Sequence, residues 1–126
     1  MRNALLALVV GFAALFGLSV GVNAAQPYSA AAFQDAQKAG KTVLLHVTAP
    51  WCSTCKAQHP TIAKIEKARP NLVVYNIDFD SSKDTLRQLR VQSQSTLIVF
   101  KGPQEVGRST GDTKPAGIEA MVAKGF

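Results

Sequence analysis

The sequence predicts an α/β fold: a central, mixed, four-stranded sheet flanked by helices on both faces. Three observations predict it. Apolar runs rich in β-branched residues fall at 42–48, 72–77 and 96–100, each preceded by a stretch with helical character. The first two runs are separated by a helix-length segment, the pattern of a right-handed crossover between parallel strands. The third is followed at once by Lys101-Gly102-Pro103, a turn that lets 104–109 pair back as an antiparallel fourth strand.

The first 24 residues stand apart. Arg2 gives a short positive region, and residues 4–20 are apolar or small except Ser19. Val22-Asn23-Ala24 then places small residues where signal peptidase reads, so 1–24 is expected to be a signal peptide cleaved after Ala24, leaving 25–126 as one domain. The alternative is a retained membrane anchor facing the periplasm, because the apolar run almost spans a bilayer. Gly11, Gly17 and Gly21 weaken such a helix, and no cysteine lies nearby to take a lipid.

The remaining elements follow in order. Ser29 is an N-cap for a helix through Gln37, with Ala32, Phe33 and Ala36 on one face and Gly40 ending it. The run 42–48 shows little alternation, as a strand covered on both faces does. Ala49-Pro50-Trp51 is a loop delivering Cys52 to a helix over 52–68, with Ala57, Ile62, Ile65 and Ala68 turned inward. Pro60 is expected to kink that helix, and Pro70-Asn71 breaks it. After the strand 72–77, Ser81 or Ser82 caps a helix over 83–89. Gly111 precedes a closing helix at about 114–124. There is no internal repeat, low-complexity segment or linker.

The formal charge is +6, from 14 basic and 8 acidic residues, and it falls by one when Arg2 leaves. The bases are scattered and aromatics are not interleaved with them, so a solvated basic surface is expected and nucleic-acid binding is not.

The chemistry is concentrated in Trp51-Cys52-Ser53-Thr54-Cys55-Lys56, which holds both cysteines of the chain. A C-x-x-C pair exchanges electrons as a unit: one thiolate attacks a disulfide and the other resolves the mixed disulfide. Cys52, at a helix N-terminus, is the expected exposed nucleophile, because unpaired N–H groups and the helix dipole favour its thiolate. Cys55, one turn in and more buried, is the expected resolving thiol. A structural staple explains the pair less well, since closing so short a loop stabilises by roughly 2 kcal/mol in a chain-entropy account. A copper or zinc module is the rival reading, as soft thiolates suit both metals. Two cysteines do not fill a tetrahedral site, and no methionine-rich or histidine-rich tract is present. His59 reads as surface, Lys56 as a solvated charge and Asp78 as structural.

Element order and motif placement together resemble the thioredoxin fold over about residues 28–125. The resemblance rests on Trp51-Cys52-x-x-Cys55-Lys56, on Pro60 five residues beyond the second cysteine, and on Asn76-Ile77-Asp78. It extends to Ser95-Thr96-Leu97-Ile98-Val99-Phe100-Lys101 and to Gly111. The chain looks short of that family's first edge strand. The resemblance implies a thiol:disulfide oxidoreductase with no bound cofactor, acting on protein disulfides or dithiols. It also implies a membrane electron-transfer protein as reductant. A monomer is expected, located in the periplasm. Reduction of specific partners is the preferred direction, and a non-catalytic interaction domain is a further alternative.

Three departures from the family pattern bear on the site. Ser95 stands where the family has a cis-proline that shapes the peptide groove and keeps metals off the cysteines. A cis bond before serine costs about 3 kcal/mol, so the Gln94–Ser95 bond is either trans or a cis bond that something local compensates, with the Ser95 main chain facing an incoming peptide. His46 stands where many thioredoxins have a buried aspartate relaying protons, which makes it a candidate proton acceptor for Cys55. Ser53-Thr54 matches neither the reducing nor the strongly oxidising dipeptides and leaves the potential open. Trp51, Ser53, Thr54, His46, Ser95 and Thr96 are therefore the expected site-shaping residues around Cys52 and Cys55.

Overall fold

The structure is a computed structural model and describes residues 25–126; the signal peptide expected at 1–24 lies outside the described residues. Its elements are β1 (Gln26–Pro27), α1 (Ala30–Lys38), β2 (Thr42–Thr48), α2 (Ser53–Ala68) and β3 (Leu72–Asp78). They continue with α3 (Lys83–Gln88), β4 (Thr96–Lys101), β5 (Gln104–Thr110) and α4 (Pro115–Ala123). The strands form one mixed sheet in the order β1-β3-β2-β4-β5. β3 runs parallel to β1 and β2, while β4 runs antiparallel to β2 and β5.

The sheet thus has five strands, not four. The extra one is β1, two residues paired parallel to β3 with Gln26 opposite Tyr75 and Pro27 opposite Asn76. The family's first edge strand is present after all, as a stub. Two residues carry no periodicity, so pattern alone does not reveal them. Pro27 fits there because an edge strand tolerates a missing N–H.

Alternation along the strands sorts the side chains into two cores. Val43, Leu45 and Val47 of β2 meet Phe33 and Ala36 of α1 and Leu86 of α3 on one face. Leu44 of β2 meets Ile62 and Ile65 of α2 and Ile118, Met121 and Val122 of α4 on the other. The expected helices on both faces follow, α1 and α3 against α2 and α4. Every residue from Thr42 to Val47 is buried, which explains the unbroken apolar run. α1 begins as its sequence requires, with Ser29 Oγ accepting from the Ala32 N–H at 3.3 Å, and Gly40 turns the chain out of it at φ 70°.

Two local expectations need correction. Ala57 and Ala68 of α2 are exposed, and its inner face is Cys55, Gln58, Thr61, Ile62 and Ile65. Cys55 fixes that face, and residues three, seven and ten positions on share it whatever their polarity. Pro60 lies inside one continuous helix on the exposed side, where it offers the Lys56 carbonyl no N–H. At α3, Ser82 occupies the N-cap position without a capping bond. Ser81 instead gives its N–H and hydroxyl to Asp78 Oδ1, both at 2.8 Å, the structural role expected of that aspartate. These bonds hold the Asp78 carboxyl below its ordinary pKa.

Candidate active site

β2 is the central strand, and the loop 49–51 carries its C-terminal end straight into α2. The Cys52 N–H bonds back to the Ala49 carbonyl at 3.1 Å, and Cys52 is the N-cap of α2. Its Sγ accepts from the Cys55 N–H at 3.1 Å, one of the donors a helix start leaves free. Cys52 and Cys55 are joined as a disulfide. Cys55 is fully buried, with Sγ 3.7 Å from the Val47 carbonyl. Cys52 is less open than expected of a nucleophile: it is 3% exposed, enclosed with Ala49 and Cys55 and packed on by Phe79.

Ser95 closes the site from the loop before β4. No peptide bond among the described residues is cis, and Ser95 sits at φ 62°, a left-handed conformation uncommon for serine. Three bonds hold it there. Its N–H donates to the Val47 carbonyl at 2.8 Å, and its carbonyl accepts from the Gly111 N–H at 3.0 Å and from Gln58 Nε2 at 3.1 Å. The Ser95 main chain is therefore occupied within the fold, and the expected contact to an incoming peptide through it is not available. Its side chain points the other way, with Oγ 3.2 Å from both Cys52 Sγ and Cys55 Sγ.

Gln58 is the site residue that the sequence does not disclose. It is fully buried and joins three segments: Nε2 donates to the carbonyls of Ser95 and of Asp112, at 3.1 and 2.8 Å, and Oε1 faces His46 Nε2 at 3.0 Å. Both amide hydrogens go to carbonyls, so Oε1 is an acceptor and His46 must carry its proton on Nε2. The signal that locates Gln58 is its place between Cys55 and Ile62 on the inner stripe of α2.

His46 projects from β2 on the α2 side and is fully buried. Burial pushes its pKa down to about 4, with the charge of His59 acting the same way and the Gln58 bond opposing both. The ring is therefore neutral at pH 7, and its Nδ1 is buried with no partner. His59 is exposed as expected, yet its ring meets that of His46 edge-on at 5.0 Å between centroids.

The remaining expected residues are spread around the rim. Trp51 is 58% exposed, its Nε1–H donates to Asp80 Oδ2 at 2.8 Å, and its ring meets Phe79 edge-on. Ser53 is exposed and Thr54 half-buried in the first turn of α2. Thr96 turns from the sulfurs, with Oγ1 bonded to the Ser93 carbonyl at 2.7 Å and to Thr110 Oγ1 at 3.0 Å, so it braces the Ser95 loop. Among the described residues no three His, Cys, Asp or Glu side chains converge as metal ligands. The cysteine pair in one copy of the chain thus supplies two of the four ligands of a structural zinc site.

A helix-capping C-x-x-C disulfide at the end of a central parallel strand invites comparison with known proteins. A family model described as Thioredoxin matches residues 24–124. The chain belongs to the thioredoxin family. Thioredoxin-2 of Saccharomyces cerevisiae is 34% identical to it over 96 residues, 75% of this chain and 91% of that protein. Thioredoxin of Chlamydia trachomatis is 36% identical over 92 residues, 73% of this chain and 89% of that one. The crystal structure of Trxlp from Edwardsiella tarda superposes with a TM-score of 0.75 at 40% identity, covering 79% of this chain and 98% of that chain. As a thioredoxin-family member with a Cys52–Cys55 redox disulfide, the chain is a protein-disulfide oxidoreductase. Within that thioredoxin frame Ser95 lies beside the sulfurs, and Gln58 links it to His46.

Proposed function

We propose that this oxidoreductase is exported, is cleaved after Ala24, and reduces disulfides of specific partner proteins in the periplasm as a monomer. A membrane electron-transfer protein returns it to the dithiol form. The apolar leader supports export, since charge, length and the Val22-Asn23-Ala24 ending all suit a signal peptide. The monomer is supported by the surface: the large apolar side chains exposed among the described residues are Trp51 and Phe126, at opposite ends of β2 and too far apart to form one patch.

The single observation that carries the mechanism is the difference between the two sulfurs. Cys52 Sγ accepts from the Cys55 N–H at the start of α2, where a thiolate is favoured. Cys55 Sγ lies by the Val47 carbonyl, an acceptor that suits a protonated thiol. Cys52 thiolate attacks one sulfur of the partner disulfide. That S–S bond breaks, and the second partner sulfur leaves as a thiolate with the electron pair. Cys55 gives up its proton to solvent or to that leaving thiolate, and its sulfur then displaces the first partner sulfur from Cys52. Two electrons pass to the partner, which becomes a dithiol, and Cys52–Cys55 becomes the disulfide.

The Cys55→Ser variant is expected to accumulate covalent mixed disulfides with partner proteins, while Cys52→Ser forms none. The opposite pattern would mean the roles are exchanged. For export, the chain recovered outside the cytosol is expected to begin at Ala25. Recovery with residues 1–24 intact in the membrane gives the anchored form, and recovery in the cytosol alone overturns export.

A further inference from the structure

We infer that the Ser95 hydroxyl is a catalytic hydrogen-bond donor shared by the two sulfurs, stabilising negative charge first on Cys52 and then on Cys55. The inference rests on the two-step exchange described above. Ser95 Oγ is 3.2 Å from each sulfur, and the residue is 3% exposed, so water does not compete freely for it. Disulfide sulfurs carry no hydrogen, so in the oxidised protein the hydroxyl is the donor. A thiolate is a far better acceptor than a disulfide sulfur, and charge-assisted bonds are the strong ones. The same O–H therefore gains strength whenever either sulfur becomes anionic.

The order of steps gives one donor two tasks. In the dithiol form the charge is on Cys52, which then has the Ser95 hydroxyl and the Cys55 N–H as donors. Once Cys52 is tied up in the mixed disulfide, the charge needed for resolution is on Cys55. Rotation about the Ser95 Cβ–Oγ bond turns the same hydrogen toward it, and no bond at the oxygen is made or broken. The scaffold suits the task. Both main-chain polar groups of Ser95 are fixed by Val47, Gly111 and Gln58, so the oxygen is held in place and only its hydrogen moves. A left-handed φ of 62° is what turns the side chain of this loop residue onto the disulfide.

The test uses Ser95→Gly and Ser95→Ala. Glycine accepts the left-handed φ without strain, so it removes the hydroxyl and leaves the backbone as it is. In reduced protein, the pH profile of iodoacetamide alkylation at Cys52 is expected to move up by about one unit in both variants, a tenfold lower thiolate-to-thiol ratio below the pKa. At a pH above the Cys52 pKa of both proteins, equilibrium with glutathione is expected to shift about tenfold toward the disulfide, near 30 mV more negative for a two-electron couple. In the Cys52 mixed disulfide, release by Cys55 is expected to slow by a similar factor. A glycine variant with the wild-type alkylation profile and wild-type release rate would overturn the inference, because it would show that Ser95 acts through its backbone alone. A protein that fails to reduce insulin, yet shows the shifted Cys52 profile on loss of the hydroxyl, keeps the donor and removes the proposed reducing direction instead.

Discussion

Gln58 and Ser95 are joined by a buried hydrogen bond, side-chain Nε2 to main-chain carbonyl at 3.1 Å, that ties the inner face of α2 to the loop closing over the disulfide. The same amide serves Asp112 and His46, so one side chain satisfies three segments. Gln58→Leu keeps the volume and removes all three bonds. It leaves the His46 Nε2–H and the Asp112 carbonyl without this partner, and unmade buried bonds cost about 1–3 kcal/mol each. The expected loss is roughly 3 kcal/mol after relaxation, read as a lower urea midpoint at unchanged slope.

His46 makes stability depend on pH in a definite window. In the unfolded chain a histidine binds its proton near pH 6.5, whereas the folded protein holds His46 neutral down to about 4. Between those values the unfolded state binds more protons, so stability falls as pH falls and is flat above about 6.5 for this group. The loss amounts to about 2–3 kcal/mol by pH 4.5. Urea midpoints from pH 7.5 to 4.5 check it. His46→Gln is expected to lack this share of the slope, the difference between the two proteins narrowing as the pH drops.

Reducing the disulfide is expected to leave the protein folded. A loop closed across two intervening residues contributes about 2 kcal/mol at most in the chain-entropy account. For a domain of this size that corresponds to a fall in Tm of about 10 °C. Melting curves with and without dithiothreitol measure it. A collapse to an unfolded chain on reduction would mean the pair is a staple.

The far end of the sheet offers a stability test separate from the chemistry. The Gly125 carbonyl accepts from Thr42 Oγ1 at 2.5 Å, and a Cβ on Gly125 would overlap the Thr42 methyl and press within 3.2 Å of Val99 Cγ1. Gly125→Ala is expected to cost about 1–3 kcal/mol, the usual range for overpacking. Its effect on insulin reduction below the melting range is expected to be negligible, since residue 125 meets the start of β2 and the cysteines follow its end.

Legibility followed physical cause. β2 was readable to the residue because burial on both faces writes an unbroken apolar run, and Ser29 was readable because a cap is a local interaction. The C-x-x-C pair was readable because the chemistry needs those atoms at that spacing. Gln58 was not, because a polar residue on an inner stripe is set by partners distant in sequence: Ser95 lies 37 positions away and Asp112 lies 54. Ser95 was half readable. Its departure from proline was plain, but its left-handed turn follows from bonds to Val47, Gln58 and Gly111, which no local pattern contains.

The central place of β2 sets the tempo of the molecule. Flanked by β3 and β4 and covered on both faces, its amides at 43–47 are expected to exchange with deuterium only when the whole domain opens. The cysteines follow the end of this doubly covered strand, so the site is carried by the part of the protein expected to yield last. A site carried this rigidly is expected to leave adjustment to the partner, so a disulfide in an unfolded chain is expected to be reduced faster than the same disulfide in a folded domain, a comparison of rates that checks it.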